Sequence, residues 1–273
     1  MSVVACLPPI GLAELDDVAA RQVRRDRKYV LALDGLDRVL SLLPHGTRVL
    51  EIEGERTFGY SSLYLDTPAL ETYHAAGLKR RRRAKVRLRR YEATGAEFLE
   101  VKLAGPRGMT VKHRRPHNGE LPLSADSLAF VDGILAPAHV RLATRALRPV
   151  LATRYARTTL CLPGDDGPAR ATLDLHLTCR TPGGEGWGRD GFGWGTGGAS
   201  TTAGEVLDLG GLVVVETKGG VRSTELDRIL WRLGHRPCRF SKYGVGLAAL
   251  TPGLPPEKWF RALDHHVPAA LAA

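Results

Sequence analysis

A chain of 273 residues with 43% apolar content can bury a sizeable core, as one large domain or two small ones. Its 39 Lys and Arg against 29 Asp and Glu leave a formal charge of +10. That balance favours an anionic partner: nucleic acid, phosphorylated small molecules, polyphosphate or an acidic membrane surface. No stretch approaches ~18 uninterrupted apolar residues, the first residues lack a basic start and a long apolar run, and Cys6, Cys161, Cys179 and Cys238 are scattered. No transmembrane helix, signal peptide or zinc site is therefore expected, and a reduced, cytoplasmic chain is.

Residues 1–20 read as a loose lead-in, 21–250 as the domain, and 251–273 as a peripheral tail. Arg24 to Val30 is a basic strand. It leads into Leu33, Leu36, Val39, Leu40 and Leu43 at helical spacing, with Asp34 as a cap and Pro44 and Gly46 as the stop. Glu51 to Phe58 reads as a strand or hairpin arm. Tyr60 to Asp66 reads as a strand ended by Pro68, and Leu70 to Ala76 as a helical turn closed by Gly77.

Lys79 to Arg83 is a plain charge run. The next residues alternate, with Lys85, Arg87 and Arg89 on one face. A turn at Thr94-Gly95 joins this strand to Glu97–Lys102, so an antiparallel hairpin is expected, with Arg87 and Arg89 near Glu100 and Lys102. Thr110 to Arg114 alternates again, Lys112 and Arg114 sharing a face. Ser124 to Leu135 is helical in pattern, and a second helix is expected over Ala138 to Leu147.

Val150 to Leu160 is a strand with Tyr155 and Arg157 on one face. A turn at Pro163–Gly167 pairs it with Ala169 to Leu175, where Arg170, Thr172 and Asp174 align. Residues 183–204 are glycine-rich and read as a flexible insertion. Leu212 to Lys218 forms a strand, and Ser223 or Thr224 caps a helix carrying Leu226, Ile229, Leu230 and Leu233. Arg239 to Gly244 reads as a final short basic strand, with a turn at Trp259–Leu263.

Two of these strands carry Glu-x-Lys on one side, Glu100/Lys102 and Glu216/Lys218. The polar faces of the others are mostly cationic, with few carboxylates: Asp66, Glu100, Asp174 and Glu216. Faces so rich in cations cannot form a dry core, because unpaired buried charges are costly. They suit a wet interior that holds a polyanion, which points to a phosphate-binding channel. His113, His117, His176, His265 and His266 read as surface residues, and Tyr29, Tyr64 and Tyr243 as core or rim.

The set Arg25-x-x-Lys28-Tyr29, Tyr64-Leu65-Asp66-Thr67, Arg87-x-Arg89-x-Tyr91, Phe98-Leu99-Glu100-x-Lys102, Tyr155-x-Arg157, Arg170-x-Thr172-x-Asp174, Glu216-x-Lys218 and Ser241-Lys242-Tyr243 resembles the VTC (vacuolar transporter chaperone) polyphosphate polymerase domain. That domain is one of the triphosphate tunnel metalloenzymes, of the CYTH-like superfamily. The resemblance runs over roughly residues 24–250 in order. Two positions depart from the pattern: Val30 stands where an aromatic often follows Lys-Tyr, and Leu65 where Tyr-Phe-Asp-Thr is usual.

The resemblance implies an α+β fold: a closed antiparallel eight-stranded β-barrel forming a triphosphate tunnel, with helices packed outside. It implies a metal-dependent phosphotransferase that moves the ATP γ-phosphate onto a polyphosphate chain and releases ADP. Lys28, Arg87, Arg89, Lys102, Arg157, Lys218 and Lys242 would be its catalytic cations, with Lys112, Arg114 and Arg170 completing the phosphate contacts. Mn²⁺ or Mg²⁺ would sit on Glu216, with Glu100 a second candidate that otherwise pairs its cationic neighbours. Phosphoryl transfer needs positioning and charge neutralisation more than covalent help, and an anionic phosphate acceptor needs no base, so none is assigned.

Two other classes stand beside this one: a tunnel-fold inorganic or nucleoside triphosphatase using water, and a non-catalytic polyanion or nucleic-acid binder. The expected partners are ATP and polyphosphate or phosphate. No nucleic acid is expected, for want of an aromatic-and-basic platform that would stack bases. Eukaryotic relatives carry phosphate-sensing and transmembrane parts that these residues lack, so a separate membrane partner would be needed to move product across a membrane.

Overall fold

Alternation gives nearly every long strand one apolar and one polar face, and the helices settle on the apolar side. The computed structural model describes residues 2–20, 25–105, 110–164, 167–181, 204–220 and 222–267. In chain order the helices are α1 (Ser2–Cys6), α2 (Leu12–Ala20), α3 (Leu36–Leu40), α4 (Glu71–Gly77), α5 (Ala125–Leu135), α6 (Glu225–Arg232), α7 (Lys242–Ala249) and α8 (Phe260–His266). The strands are β1 (Pro9–Ile10), β2 (Arg25–Ala32), β3 (Arg48–Leu50), β4 (Phe58–Asp66), β5 (Ala84–Tyr91), β6 (Glu97–Ala104), β7 (Thr110–Pro116), β8 (Arg148–Leu162), β9 (Ala169–Arg180), β10 (Val206–Leu209) and β11 (Leu212–Gly219). The architecture is α+β, built on a large antiparallel sheet, and it packs as two units.

The first unit comprises Met1–Gly59, Tyr155–Leu177 and Leu209–Phe240. In it β11 lies between β2 and β9, with Glu216 opposite Lys28 on one side and Thr172 on the other. Tyr29, Leu31, Val213, Val215, Ala171 and Leu173 form the buried face. Leu36, Val39 and Leu40 of α3 cover it, together with Leu226, Ile229 and Leu230 of α6. A capping box starts α6: Thr224 Oγ1 accepts from the Asp227 backbone N–H and the Asp227 carboxylate accepts from that of Thr224.

The second unit comprises Tyr60–Arg154, Thr178–Asp208 and Ser241–Ala273. Its strands β4, β5, β6 and β7 pair antiparallel in that order. Leu63, Leu65, Val86, Leu88, Leu99 and Val101 pack with Val131 and Leu135 of α5. Ser124 caps α5 by accepting from the Ser127 N–H.

Several expectations are corrected. The sheet is not closed by hydrogen bonds: among the described residues β2 pairs only with β11 and β7 only with β6, so the closed eight-stranded barrel is not formed that way. The expected loose lead-in over residues 1–20 is packed at several of its described residues. Val4 enters the core, Ile10 and Leu15 pack with Leu50, and Arg56 donates to the Val4, Ala5 and Leu7 carbonyls at the end of α1. The expected helix over Ala138–Leu147 reduces to a 3₁₀ turn at Thr144–Ala146. The basic strand over Arg239–Gly244 is not formed: Arg239–Ser241 are irregular and Lys242 begins α7, capped by the Ser241 side chain. The helix expected from Leu33 divides into a 3₁₀ turn, Leu33–Gly35, and the short α3, with no side-chain cap from Asp34. Trp259–Leu263 runs into α8. The glycine-rich insertion lies outside the described residues but for Gly204. Among the described residues no helix is long and apolar enough to cross a membrane.

Candidate functional site

In the second unit the polar face of β5, β6 and β7 is laid out in cross-strand rows. Lys85, Lys102 and Lys112 stand directly opposite one another on three successive strands. The next row is Tyr64, Arg87, Glu100 and Arg114, and the one after it Ser62, Arg89, Phe98 and Pro116. Six cations therefore share this face with one carboxylate. Like charges directly opposite one another destabilise a sheet, so an all-lysine row is a poor choice for stability and a good one for an anion.

The single carboxylate fixes the centre. Arg87 donates from Nε (2.8 Å) and a terminal nitrogen (2.5 Å) to Glu100 Oε2. Glu100 is fully buried and Arg87 and Arg89 nearly so. Burial works against ionising Glu100, but Arg87, Arg89 and Lys112 outweigh it and hold the carboxyl at about 2. Its Oε1 has no hydrogen-bond partner and lies 3.5 Å from Lys112 Nζ. Burial lowers the Lys112 ammonium, and the charges of Arg114, Arg87 and Arg89 lower it further against the pull of Glu100. Aromatic rings brace the guanidiniums: Arg87 sits 5.9 Å from the Tyr64 ring, Arg89 5.3 Å from Tyr60 and Arg114 5.0 Å from Phe98.

Lys242 opens α7 in the same unit. The preceding Ser241 Oγ accepts from the Gly244 N–H (3.2 Å) and from Lys85 Nζ (2.7 Å). Lys85 is thus both a member of the lysine row and a strut under the first turn of α7. Only its alternation with Arg87 and Arg89 marks it in the sequence.

The first unit has its own polar face. Glu216 and Lys218 project from β11 with Lys28 and Asp26 opposite on β2, and Thr172 and Arg170 opposite on β9. Glu216 Oε1 is 3.7 Å from Lys218 Nζ. Asp174 accepts a fork from Arg157, at 2.5 Å to Oδ1 and 2.7 Å to Oδ2, and both side chains are largely buried. Arg170 is 3.6 Å from Asp16.

Divalent metal binding can be weighed on these donors. Asp174 is committed to Arg157, and Glu100 is enclosed by cations, so neither fits an ion. Glu216 lies 3.7 Å from Lys218, and the buried Thr172 Oγ1 in register with it lacks a hydrogen bond. One carboxylate and one hydroxyl are an oxygen-only set of the kind hard ions prefer. Among the described residues no cluster of three His, Cys, Asp or Glu is placed to hold a metal. Any ion here would take most of its ligands from phosphate and water, and the surrounding Lys28, Lys218 and Arg170 suit that anionic company.

Two buried aspartates that resemble site residues are structural. Asp66 accepts from the Thr67, Thr72 and Tyr73 N–H groups, from Thr72 Oγ1 and from Tyr243 Oη. Asp227 accepts from Tyr29 Oη (2.7 Å), Thr217 Oγ1 (2.6 Å), Arg27 (3.1 Å) and the Thr224 N–H (2.7 Å). Sequence reading passed over Asp227. Its position three residues after Thr224 is the capping-box spacing that would have found it.

The VTC domain family matches residues 23–251. Curated proteins provide no match. Solved structures similar to the chain include HpAC1 from Hippeastrum, assigned as an adenylyl cyclase and found to have a dominant triphosphatase activity. It is 15% identical over 85% of this chain and 98% of that one, with a TM-score of 0.41. A protein of Vibrio parahaemolyticus assigned as an adenylate cyclase is 12% identical over 78% and 84% of the two chains, with a TM-score of 0.35.

Proposed function

The chain belongs to the VTC domain family, and from that premise we propose that it is an ATP-dependent polyphosphate polymerase, transferring the ATP γ-phosphate to a growing chain and releasing ADP. The observation that carries the reading is the face of β5–β7, where six cations surround one buried carboxylate. A face so arranged leaves charge to be neutralised by a multiply charged anion, and a row of three lysines suits successive phosphates of one chain.

The roles follow from side-chain chemistry. Arg87 and Arg89, braced by Glu100, Tyr64, Tyr60 and Ser62, present guanidiniums in fixed directions, and Arg grips phosphate oxygens in pairs. Lys102, Lys112, Arg114 and Lys242 add charge in the same unit. In the other unit Lys28, Arg157, Arg170 and Lys218 do so. Mn²⁺ or Mg²⁺, held by Glu216 and phosphate oxygens, would neutralise charge that develops on the transferring group. Glu100 orients Arg87 and Lys112. The acceptor phosphate is already anionic, so no residue is assigned as a base.

The test is product analysis with ATP and Mn²⁺ or Mg²⁺. Long phosphate chains with stoichiometric ADP are expected. Free phosphate without chains would instead make the protein a triphosphatase, and metal-independent binding without turnover would make it a polyanion binder.

A further inference from the structure

A second concentration of cations lies in the second unit, outside the residues assigned above. A groove of about 1170 Å³ is lined by Arg80, Arg81 and Arg82 on one wall and by His139 and Arg141 on the other. Glu71 is the one carboxylate in its lining, and it accepts a long bond (3.5 Å) from the Ala143 N–H. Among the described residues none of the four guanidiniums has an ion-pair partner, although all four side chains are exposed.

Both walls are built the same way. After α4, Lys79 takes a left-handed backbone (φ 55°), the Arg80 N–H reaches back to the Ala75 carbonyl (2.9 Å) and the Lys79 N–H to Ala76 (3.2 Å). After α5, His139 takes the same conformation (φ 52°), with the Val140 N–H on the Leu135 carbonyl (3.1 Å) and the His139 N–H on Ala136 (3.0 Å). Each helix ends in a Schellman-type cap with a non-glycine residue at the left-handed position, which costs about 1 kcal/mol. Each then releases arginines into the groove. The Ala104 N–H on the Arg83 carbonyl (3.2 Å) ties the far end of the arginine run to β6. The run is therefore a folded wall and not a frayed tail. A cation just past a helix C-terminus is favourable in itself, but that accounts for one cation per helix, not for four facing one concavity.

We propose that this groove is a binding site for linear inorganic polyphosphate, separate from the phosphate-contacting residues assigned above. The choice of polyphosphate over other polyanions rests on the polymerase reading. A long flexible chain of closely spaced charges matches four guanidiniums spread along a trough, and no Phe, Tyr or Trp lines the groove to stack on a base.

The test compares wild type with Arg80→Gln/Arg81→Gln/Arg82→Gln and, on the opposite wall, Arg141→Gln. A charge-matched control removes Arg38, Arg228 and Arg232 instead. Labelled long-chain polyphosphate is titrated by anisotropy, with inorganic triphosphate and single-stranded RNA as competitors. The triple variant should bind long chains about ten-fold more weakly, and Arg141→Gln about three-fold, with a shallower salt dependence. The control, inorganic triphosphate binding and ATP turnover should stay unchanged. Equal affinity for long chains in the triple variant and wild type would overturn the site. RNA displacing the chain at equal or lower phosphate concentration would overturn its assignment to polyphosphate. Because the readout is binding, a protein that made no chains would remove the polymerase reading and leave this measurement interpretable.

Discussion

Arg87 and Glu100 face each other across β5 and β6, and two guanidinium nitrogens of Arg87 converge on one oxygen of Glu100, at 2.8 and 2.5 Å. The other oxygen is left to the field of Lys112. The pair is therefore an anchor for an arginine, and its worth shows when one partner is removed. Glu100→Gln should destabilise the protein by about 3–5 kcal/mol in denaturant unfolding at neutral pH, since it strands a buried charge.

The same pair makes an acid-stability prediction. Folding lowers the Glu100 carboxyl from 4.5 to about 2. A group depressed on folding stabilises fully above its unfolded value and loses that contribution as pH falls toward its folded value. Wild type should lose on the order of 3 kcal/mol from this group between pH 5 and 2. Glu100→Gln should lack that component, so its stability should fall less steeply over the same range. Parallel pH profiles for the two proteins would place the lowered carboxyl elsewhere.

Glu216 is expected to show itself in activity. It is 15% exposed, and its carboxylate lies 3.7 Å from Lys218 on its own strand. Glu216→Gln keeps the shape of the side chain and should lose metal-dependent ATP turnover, measured at a temperature where the variant is folded. Full turnover in that variant would remove Glu216 from the site. The two Glu-x-Lys strands, alike in sequence, are thus expected to separate by function: Glu100 as an anchor for Arg87 and Glu216 as the carboxylate that turnover needs.

That separation marks how far the sequence could be read. Alternation placed Lys85, Arg87 and Arg89 on one face, and the turn at Thr94-Gly95 set the hairpin that brings Arg87 to Glu100. Period-two patterning carries strands well because burial acts on every second residue. It carries closure poorly: whether the two end strands of a sheet pair with each other depends on sheet curvature, which no local pattern encodes. It also failed where chemistry was short-range but unrecognised. Ser241-Lys242-Tyr243-Gly244 looked like a basic strand, yet one serine hydroxyl on the Gly244 N–H is enough to start a helix. Asp66 and Asp227 carry no signal of burial in their own identity. Their partners arrive from Tyr243, 177 residues on, and from Tyr29, 198 residues back.

Tyr243→Phe tests that long-range bond directly. Its hydroxyl donates to Asp66 Oδ2 at 2.5 Å, and the Asp66 carboxylate sits at the start of α4, accepting from three backbone N–H groups. Hydrogen bonds to a charged partner are worth about 1.5–3 kcal/mol. Unfolding should show a loss of that size, and added Mn²⁺ or ATP should not abolish the difference between variant and wild type. A stability unchanged from wild type would mean that Asp66 is satisfied without the phenol.

Gly244 offers a way to move Lys242 without touching it. A Cβ at position 244 would come well within 3.0 Å of three ring atoms of Trp259. Trp259 is almost fully buried and packs against Tyr73 at 5.0 Å, so the ring has no room to yield. Gly244→Ala must therefore displace α7, and with it Ser241, whose hydroxyl Lys85 holds at 2.7 Å. Overpacking of this kind costs about 1–3 kcal/mol or more. The expected outcome is a lower melting temperature together with weaker ATP binding, measured at a temperature where the variant is still folded. Lys242→Gln is the companion: it should weaken ATP binding while the Ser241 hydroxyl still caps α7 through the Gly244 N–H. If Gly244→Ala melted like wild type, the close approach of α7 to Trp259 would not be what sets the position of Lys242.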